Sequence, residues 1–139
     1  MRAPYFEQPP ADQRHGVEAA RHVFSTGIYD RNLVIAALTH DIGKRHARLG
    51  VPGRVIASLM IRARLPLPAR FRAYRDHGAV TAEELQALGA PHLAVQFALH
   101  HHGSRPPTID QTTWHVLVQS DQPAKTRGPA GVGISSSET

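Results

Sequence analysis

Apolar positions along the chain recur every three to four residues, in blocks closed by Gly or Pro, which is the spacing of amphipathic helices. Val17, Ala20, Val23 and Phe24 form one such stripe, and predict a helix capped by Asp12, running to about Ser25 and ended by Thr26-Gly27. A second helix is predicted over about Arg31 to Asp41, with Asp30 as its N-cap and Gly43 just past its end. Its Leu33–Leu38 run is unbroken apolar, which predicts burial on most sides. Pro52 opens a third helix reaching about Arg64, with Val55, Ile56, Leu59 and Met60 turned inward. Leu65-Pro66-Leu67-Pro68 breaks it, and Ala69 to Arg75 forms a short basic segment. Asp76-His77-Gly78 begins a helix that Gly89 stops after Leu88, although Thr81 with Glu84 also fits a capping box that would start it later. Ala90-Pro91 opens another, carrying Leu93, Val95, Phe97, Ala98 and Leu99 and ending in His100-His101-His102-Gly103. Pro106-Pro107 makes a loop, Asp110 caps a last helix over about Gln111 to Gln122 with Trp114, Leu117 and Val118 as its core face, and Pro123 closes it. Neither two-residue alternation nor a hairpin turn signal is present. The fold class expected is therefore all-α, a compact bundle of about six helices. Residues 1–10, with Pro4, Pro9 and Pro10, read as an N-terminal arm, 11–124 as one domain, and the Gly- and Ser-rich 125–139 as a disordered tail.

Composition narrows the chemistry. The 139 residues include 10 His and no Cys, so thiolate sites and disulfides are excluded and imidazole is the only usual nitrogen donor for a metal. The N-terminal Met1-Arg2-Ala3-Pro4-Tyr5 lacks the apolar core of a signal peptide, and no apolar run approaches the ~18 residues of a membrane span. The expectation is a cytoplasmic protein with no membrane partner. Net charge is +5, unevenly spread. Lys44, Arg45, Arg48, Arg54, Arg62, Arg64, Arg70, Arg72 and Arg75 occupy a stretch with no acidic residue. Such a run is either a solvated face or a field that attracts a phosphate-bearing partner, a nucleotide or a nucleic acid.

The candidate site follows from where the metal-binding residue types fall. His40-Asp41 and His101-His102 close helices, His77 opens one, and Asp121 ends the last. His15 and His22 lie on roughly the same side of the first helix; only one can reach a site at one end of the bundle, and His15 is favoured, leaving His22 as a surface or packing residue. In a helical bundle, such ends can converge at one pole or in the core. Mixed nitrogen and oxygen donors suit Mn, Fe or Co, with Mg and Zn also admissible. Seven donors exceed the needs of one ion with an open position, and fit two ions that share a carboxylate. His46, His92 and His115 have no place in the pattern.

The order His, His-Asp, His, His-His, Asp resembles that of the HD-domain metal-dependent phosphohydrolase superfamily. The spans His-Asp-Ile-Gly-Lys, Asp-His-Gly-Ala and His-His-Gly-Ser, and the intervals between them, resemble the HD domains of bacterial cyclic-dinucleotide phosphodiesterases over about residues 12 to 125. The resemblance implies that His15, His40, Asp41 and Asp121 hold one ion, and that His77, His101 and His102 hold a second, with Asp41 bridging. It implies two divalent ions (Mn, Fe, Co or Mg). Lys44 would face the phosphate; Asp41 and Lys44 would be the catalytic residues, with Arg45 and Arg105 as further substrate contacts. The partner implied is a small phosphorylated substrate, a nucleotide above all, with nucleic acid second. His100 adds a third consecutive His; Gly103 sets the pair at 101 and 102 as in the family's His-His-Gly, and a register shifted by one stays open. The stretch from His102 to Asp121 is shorter than in the cyclic-dinucleotide group, and no Gly-Tyr-Pro follows the His pair, which excludes the branch named for that motif.

Two other classes share these residues. Some HD-domain proteins hold two irons with a similar His/Asp set and activate oxygen; a mixed-valent iron spectrum without phosphatase activity would mark that class. A non-catalytic nucleotide- or RNA-binding module would instead bind RNA in a salt-sensitive way without turnover. All metal-centred readings require the imidazole at 77 and the carboxylate at 121 to lie within about 10 Å of the 40/41 pair, as a shared coordination shell demands.

Overall fold

The computed structural model describes residues 2–122. These fold into α1 (Arg2–Phe6), α2 (Pro10–Ser25), α3 (Arg31–Thr39), a 3-10 helix (Ile42–Ala47), α4 (Val51–Arg62), α5 (Ala69–Arg75), α6 (His77–Ala87), α7 (His92–His100) and α8 (Gln111–Asp121). No strand occurs among the described residues. The protein is all-α, and none of its described helices is long and apolar enough to cross a membrane.

The centre of the bundle is α3. Asp30 starts it as expected, its carboxylate accepting from the backbone N–H groups of Asn32 (2.6 Å) and Leu33 (3.3 Å), donors that otherwise have no partner at a helix start. Leu33, Ala36 and Ala37 are buried, and α3 packs against α2 and α7, with α8 lying across α2 and α3. On the other side α6 packs on α7 and on the 3-10 helix. The main core joins Val23, Leu33, Ile42, Leu85, Phe97 and Leu117 with several alanines. Full burial of side chains such as Phe97 and Leu85 contributes about 1.5–3 kcal/mol each. The alanines let the helices approach closely, and so do two glycines beside the candidate ligands. A Cβ on Gly43 would stand 2.7 Å from the carbonyl oxygen of His77, and one on Gly78 would stand 2.8 Å from that of Ala98. Both separations are below van der Waals contact with backbone atoms. These two positions therefore set how near the 3-10 helix comes to α6, and α6 to α7.

Several expectations need correction. The arm over residues 1–10 is not irregular: α1 is helical, and Pro10 is the first residue of α2, where a missing N–H costs nothing. Asp12 is not the cap of α2. It is buried inside the first turn and forms a bidentate ion pair with Arg54 of α4. The second helix ends at Thr39 rather than Asp41, and Gly43 lies within the following 3-10 helix. Thr81 and Glu84 form no capping box. Thr81 lies one turn into α6, its hydroxyl donating to the His77 carbonyl (2.8 Å) and accepting from the Gly43 N–H (2.9 Å), while Glu84 pairs with Arg45 and His46. Val55, Ile56 and Leu59 face outward, each more than half exposed, and only Ala57 of α4 is buried, in a small second core with Ala47 and Leu49. Val17 and Phe24 are likewise exposed, and Ala19, Ala20 and Val23 form the buried side of α2. His22 is buried, which agrees with the packing alternative of its two expected places. Pro123 and the tail over 125–139 lie outside the described residues.

Candidate metal centre

Three of the candidate histidines reach the centre by one local device. His40 is the C-cap of α3, His101 is the C-cap of α7, and His77 opens α6 one residue past Asp76, the C-cap of α5. Carbonyls in the last turn of a helix have no intrahelical donor. In each case the ring folds back and Nδ1–H donates to the carbonyl three residues earlier: His40 to Ala37 (2.9 Å), His77 to Tyr74 (2.6 Å) and His101 to Ala98 (2.8 Å). A carbonyl oxygen can only accept, so the proton is on Nδ1 and each Nε2 points inward. Such a backbone anchor fixes both the tautomer and the ring orientation of a metal-binding histidine.

The inward nitrogens meet two carboxylates. His40 Nε2 lies 2.9 Å from Asp121 Oδ1, and His15 Nε2 lies 3.0 Å from the same oxygen. Asp41 Oδ2 is 3.5 Å from His40 Nε2 and 3.8 Å from His15 Nε2. The other Asp41 oxygen, Oδ1, is 3.2 Å from His77 Nε2 and 3.5 Å from His101 Nε2. His102 closes the second group, with its Nε2 3.3 Å from that of His77. Two sets of donors result, His15, His40, Asp41 and Asp121 in one, and His77, His101 and His102 in the other; within each, the donor atoms lie within 4.8 Å of one another. Each oxygen of Asp41 faces a different set. The imidazole at 77 and the carboxylate at 121 are both within the limit set above. The structure gathers His101 and His102 and leaves His100, still on α7, outside either set.

The electrostatics favour a cation. With Nδ1–H committed, an uncharged His40 presents a lone pair to the oxygens of Asp41 and Asp121, so like partial charges face each other unless a proton or a cation intervenes. Burial opposes a charge on His40, but the carboxylate of Asp41 and the contact with Asp121 outweigh it and raise its pKa. Burial would raise Asp41, yet the charge at His40, the contacts with His101 and His77, and Lys44 hold it well below the usual carboxylate range. Asp121 is held down in the same way, burial being outweighed by its contacts with His15 and His40. His102 goes the other way: burial, with His101 and His77 next to it, lowers its pKa to about 4, which leaves it an uncharged donor at neutral pH. His101 Nε2 is buried and makes no hydrogen bond among the described residues. A buried nitrogen with no hydrogen bond, only the longer 3.5 Å contact with Asp41 Oδ1, is costly in a metal-free site and is what an ion would use. These buried His/Asp groups could hold a metal ion; N/O donors in this number suit a divalent ion.

The cationic candidates separate. Lys44 places its ammonium group on Asp41 Oδ2, inside the cluster. Arg45 does not reach it: its guanidinium is bound by both oxygens of Glu84, by the Ile42 carbonyl and by Glu7. Arg105 donates to the carbonyl of Ile109 in the loop before α8. Both are thus fold contacts in this structure rather than groups lining the centre. Thr81 is the residue that sequence reasoning missed. Fully buried, it ties Gly43, two residues past Asp41, to the His77 carbonyl and so fixes the spacing between the two sets. Its only signal is its place one helical turn after His77. No family model matches the chain, and no curated protein or solved structure matches it either.

Proposed function

We propose that the chain is a metal-dependent phosphohydrolase of the HD type, acting on a nucleotide or related phosphoester through a dinuclear centre. The observation that carries this reading is the division of Asp41, one oxygen turned to each donor set. A carboxylate so placed is suited to bridge two ions, and the resemblance of the His-Asp, His and His-His spans points to phosphoester hydrolysis. Divalent ions held by these residues would supply the Lewis-acid charge that activates water and neutralises phosphate oxygens. In the first set His40 is buried and His15 and Asp121 are partly exposed; in the second His77 and His101 are buried and His102 is exposed. Lys44, already on the carboxylate edge, is placed to turn its ammonium toward a bound phosphate and offset the charge that builds on it. In the net reaction the oxygen of water bonds to phosphorus, the ester P–O bond breaks, and the leaving oxygen takes up a proton to form an alcohol.

The test is elemental analysis of the purified protein, followed by a phosphoester panel with added Mn. Bound divalent metal with Mn-dependent release of phosphate, or of a monoester from a diester, supports the proposal. Bound iron with a mixed-valent spectrum and no release refutes it in favour of oxygen activation, and metal-free protein that neither binds Mn nor hydrolyses any ester refutes both. A narrower expectation follows from the two sets. His102→Ala removes one donor of three from the second set and none from the first. Loss of an outer partner of a metal site already costs about 10–100-fold in affinity, and loss of a ligand costs at least that. The variant should therefore lose one metal equivalent on dialysis and keep the other; full retention of both contradicts the pairing.

A further inference from the structure

A cavity of about 480 Å³ opens beside the second donor set, and shares His77 and His102 with it. Its remaining walls are Ser58, Ile61 and Arg62 from the end of α4, and Tyr74 and Arg75 from α5. The size suits a ligand of nucleotide dimensions, since small-molecule pockets run to about 300–1,000 Å³. The lining is divided in character. Ile61 and the Tyr74 ring, held against the His77 ring at 5.8 Å, give an apolar wall next to the donor set. The two guanidinium groups differ. Arg75 is neutralised by Asp76, with contacts of 2.7 and 2.9 Å. Arg62 has no ion pair or hydrogen bond among the described residues, and no acidic side chain lines the cavity. An uncompensated guanidinium facing a cavity is a ready contact for a carboxylate or phosphate, which it can bind through two parallel hydrogen bonds.

We propose that this cavity is a subsite for the non-reacting part of the substrate, and that this part carries a second phosphate. The substrate class is then a nucleotide with two phosphate groups, one at the donor sets and one on Arg62, with its nucleoside body against Tyr74 and Ile61. The assignment of the reacting end rests on the hydrolase reading above; the existence of the anionic subsite does not.

The test is isothermal titration calorimetry of the Mn-loaded full chain with two probes, adenosine 3′,5′-bisphosphate and adenosine 5′-monophosphate. The native protein should bind the bisphosphate at least about tenfold more tightly, the usual effect of one added charge-assisted contact. Arg62→Ala should erase most of that preference, and Arg62→Lys should restore part of it. Arg31→Ala, the same loss of charge at the start of α3, should leave the preference in place. Equal affinities in the native protein, or a preference that survives Arg62→Ala, overturn the subsite; so does equal loss in Arg31→Ala, which would mean a diffuse field. Hydrolysis of para-nitrophenyl phosphate and of bis(para-nitrophenyl) phosphate, a monoester and a diester read in parallel, separates the two claims. Arg62-dependent binding without any hydrolysis sinks the hydrolase and keeps the subsite, whereas hydrolysis without bisphosphate preference does the reverse.

Discussion

Asp41→Ala should release metal from both donor sets and lower turnover by more than about a hundredfold, while helix content by circular dichroism stays near that of the native protein. The asymmetry with His102→Ala is the point. His102 serves one set, but the two oxygens of Asp41 face both, at 3.2–3.5 Å from His77 and His101 on one side and 3.5–3.8 Å from His40 and His15 on the other. The size of the effect is bounded from below by outer-sphere substitutions, which already cost about 10–100-fold in metal affinity or activity. Helix content should survive because the main core does not pass through this carboxylate: Val23, Leu33, Leu85, Phe97 and Leu117 pack without it. Asp41→Asn refines the test. It keeps the shape, removes the charge, and offers an amide nitrogen to one of the two sets. It should therefore weaken both ions without emptying the pocket of side-chain volume. An Asp41→Ala protein that still binds metal in full, or still turns over substrate, ends the assignment.

The clustering of the donors is legible in the sequence because six of the seven lie at or beside a helix end, His15, in the second turn of α2, being the exception. Position at a helix end survives errors of one or two residues in the boundary. The predicted second helix runs two residues too far, yet His40 and Asp41 still fall at the turn where the chain changes direction. The device that aims the rings is also local: a histidine just after a helix finds an orphan carbonyl three residues back, as at Ala37, Tyr74 and Ala98. What the sequence could not supply is partnership between distant segments. Helical spacing identifies Val55, Ile56 and Leu59 as an apolar face but says nothing about whether another element covers it, and none of the described elements does. An Asp two residues past Pro10 looks like a cap, and only the fold reveals Arg54, 42 positions on, as its partner. For the same reason Arg45 reads as a phosphate ligand until Glu84, 39 positions away, is placed against it. The basic run over 44–75 is divided by such contacts. Arg54 and Arg75 are ion-paired, Arg70 and Arg72 donate to backbone carbonyls, and Arg62 alone of the cavity-lining pair retains an unbalanced charge.

Removing metal with a chelator should lower the midpoint of thermal unfolding by about 10 °C, and the loss should grow as the pH rises above neutrality. An ion present at about a hundred times its dissociation constant stabilises the folded state by about 2.7 kcal/mol. For a domain near this length, 1 kcal/mol moves the midpoint by about 4 °C. The pH dependence comes from His40. Its pKa in the metal-free fold is raised by Asp41 and Asp121 above the value in the unfolded chain. Between those two values the metal-free folded state holds a proton that the unfolded state has lost, so its stability declines as pH rises through that window. Above it, the His40 lone pair faces two carboxylates with nothing between them. The metal-loaded protein escapes this penalty, because binding displaces the proton. His102 acts in a separate window: lowered to about 4, it destabilises the fold only as pH falls below its ordinary value near 6.5. Differential scanning fluorimetry with and without chelator at pH 6.5, 7.5 and 8.5 checks both parts. The gap between loaded and stripped protein should widen across the series, and readdition of Mn should restore the higher midpoint. A gap that is absent, or that narrows with rising pH, would mean that His40 and the two carboxylates do not share a cation.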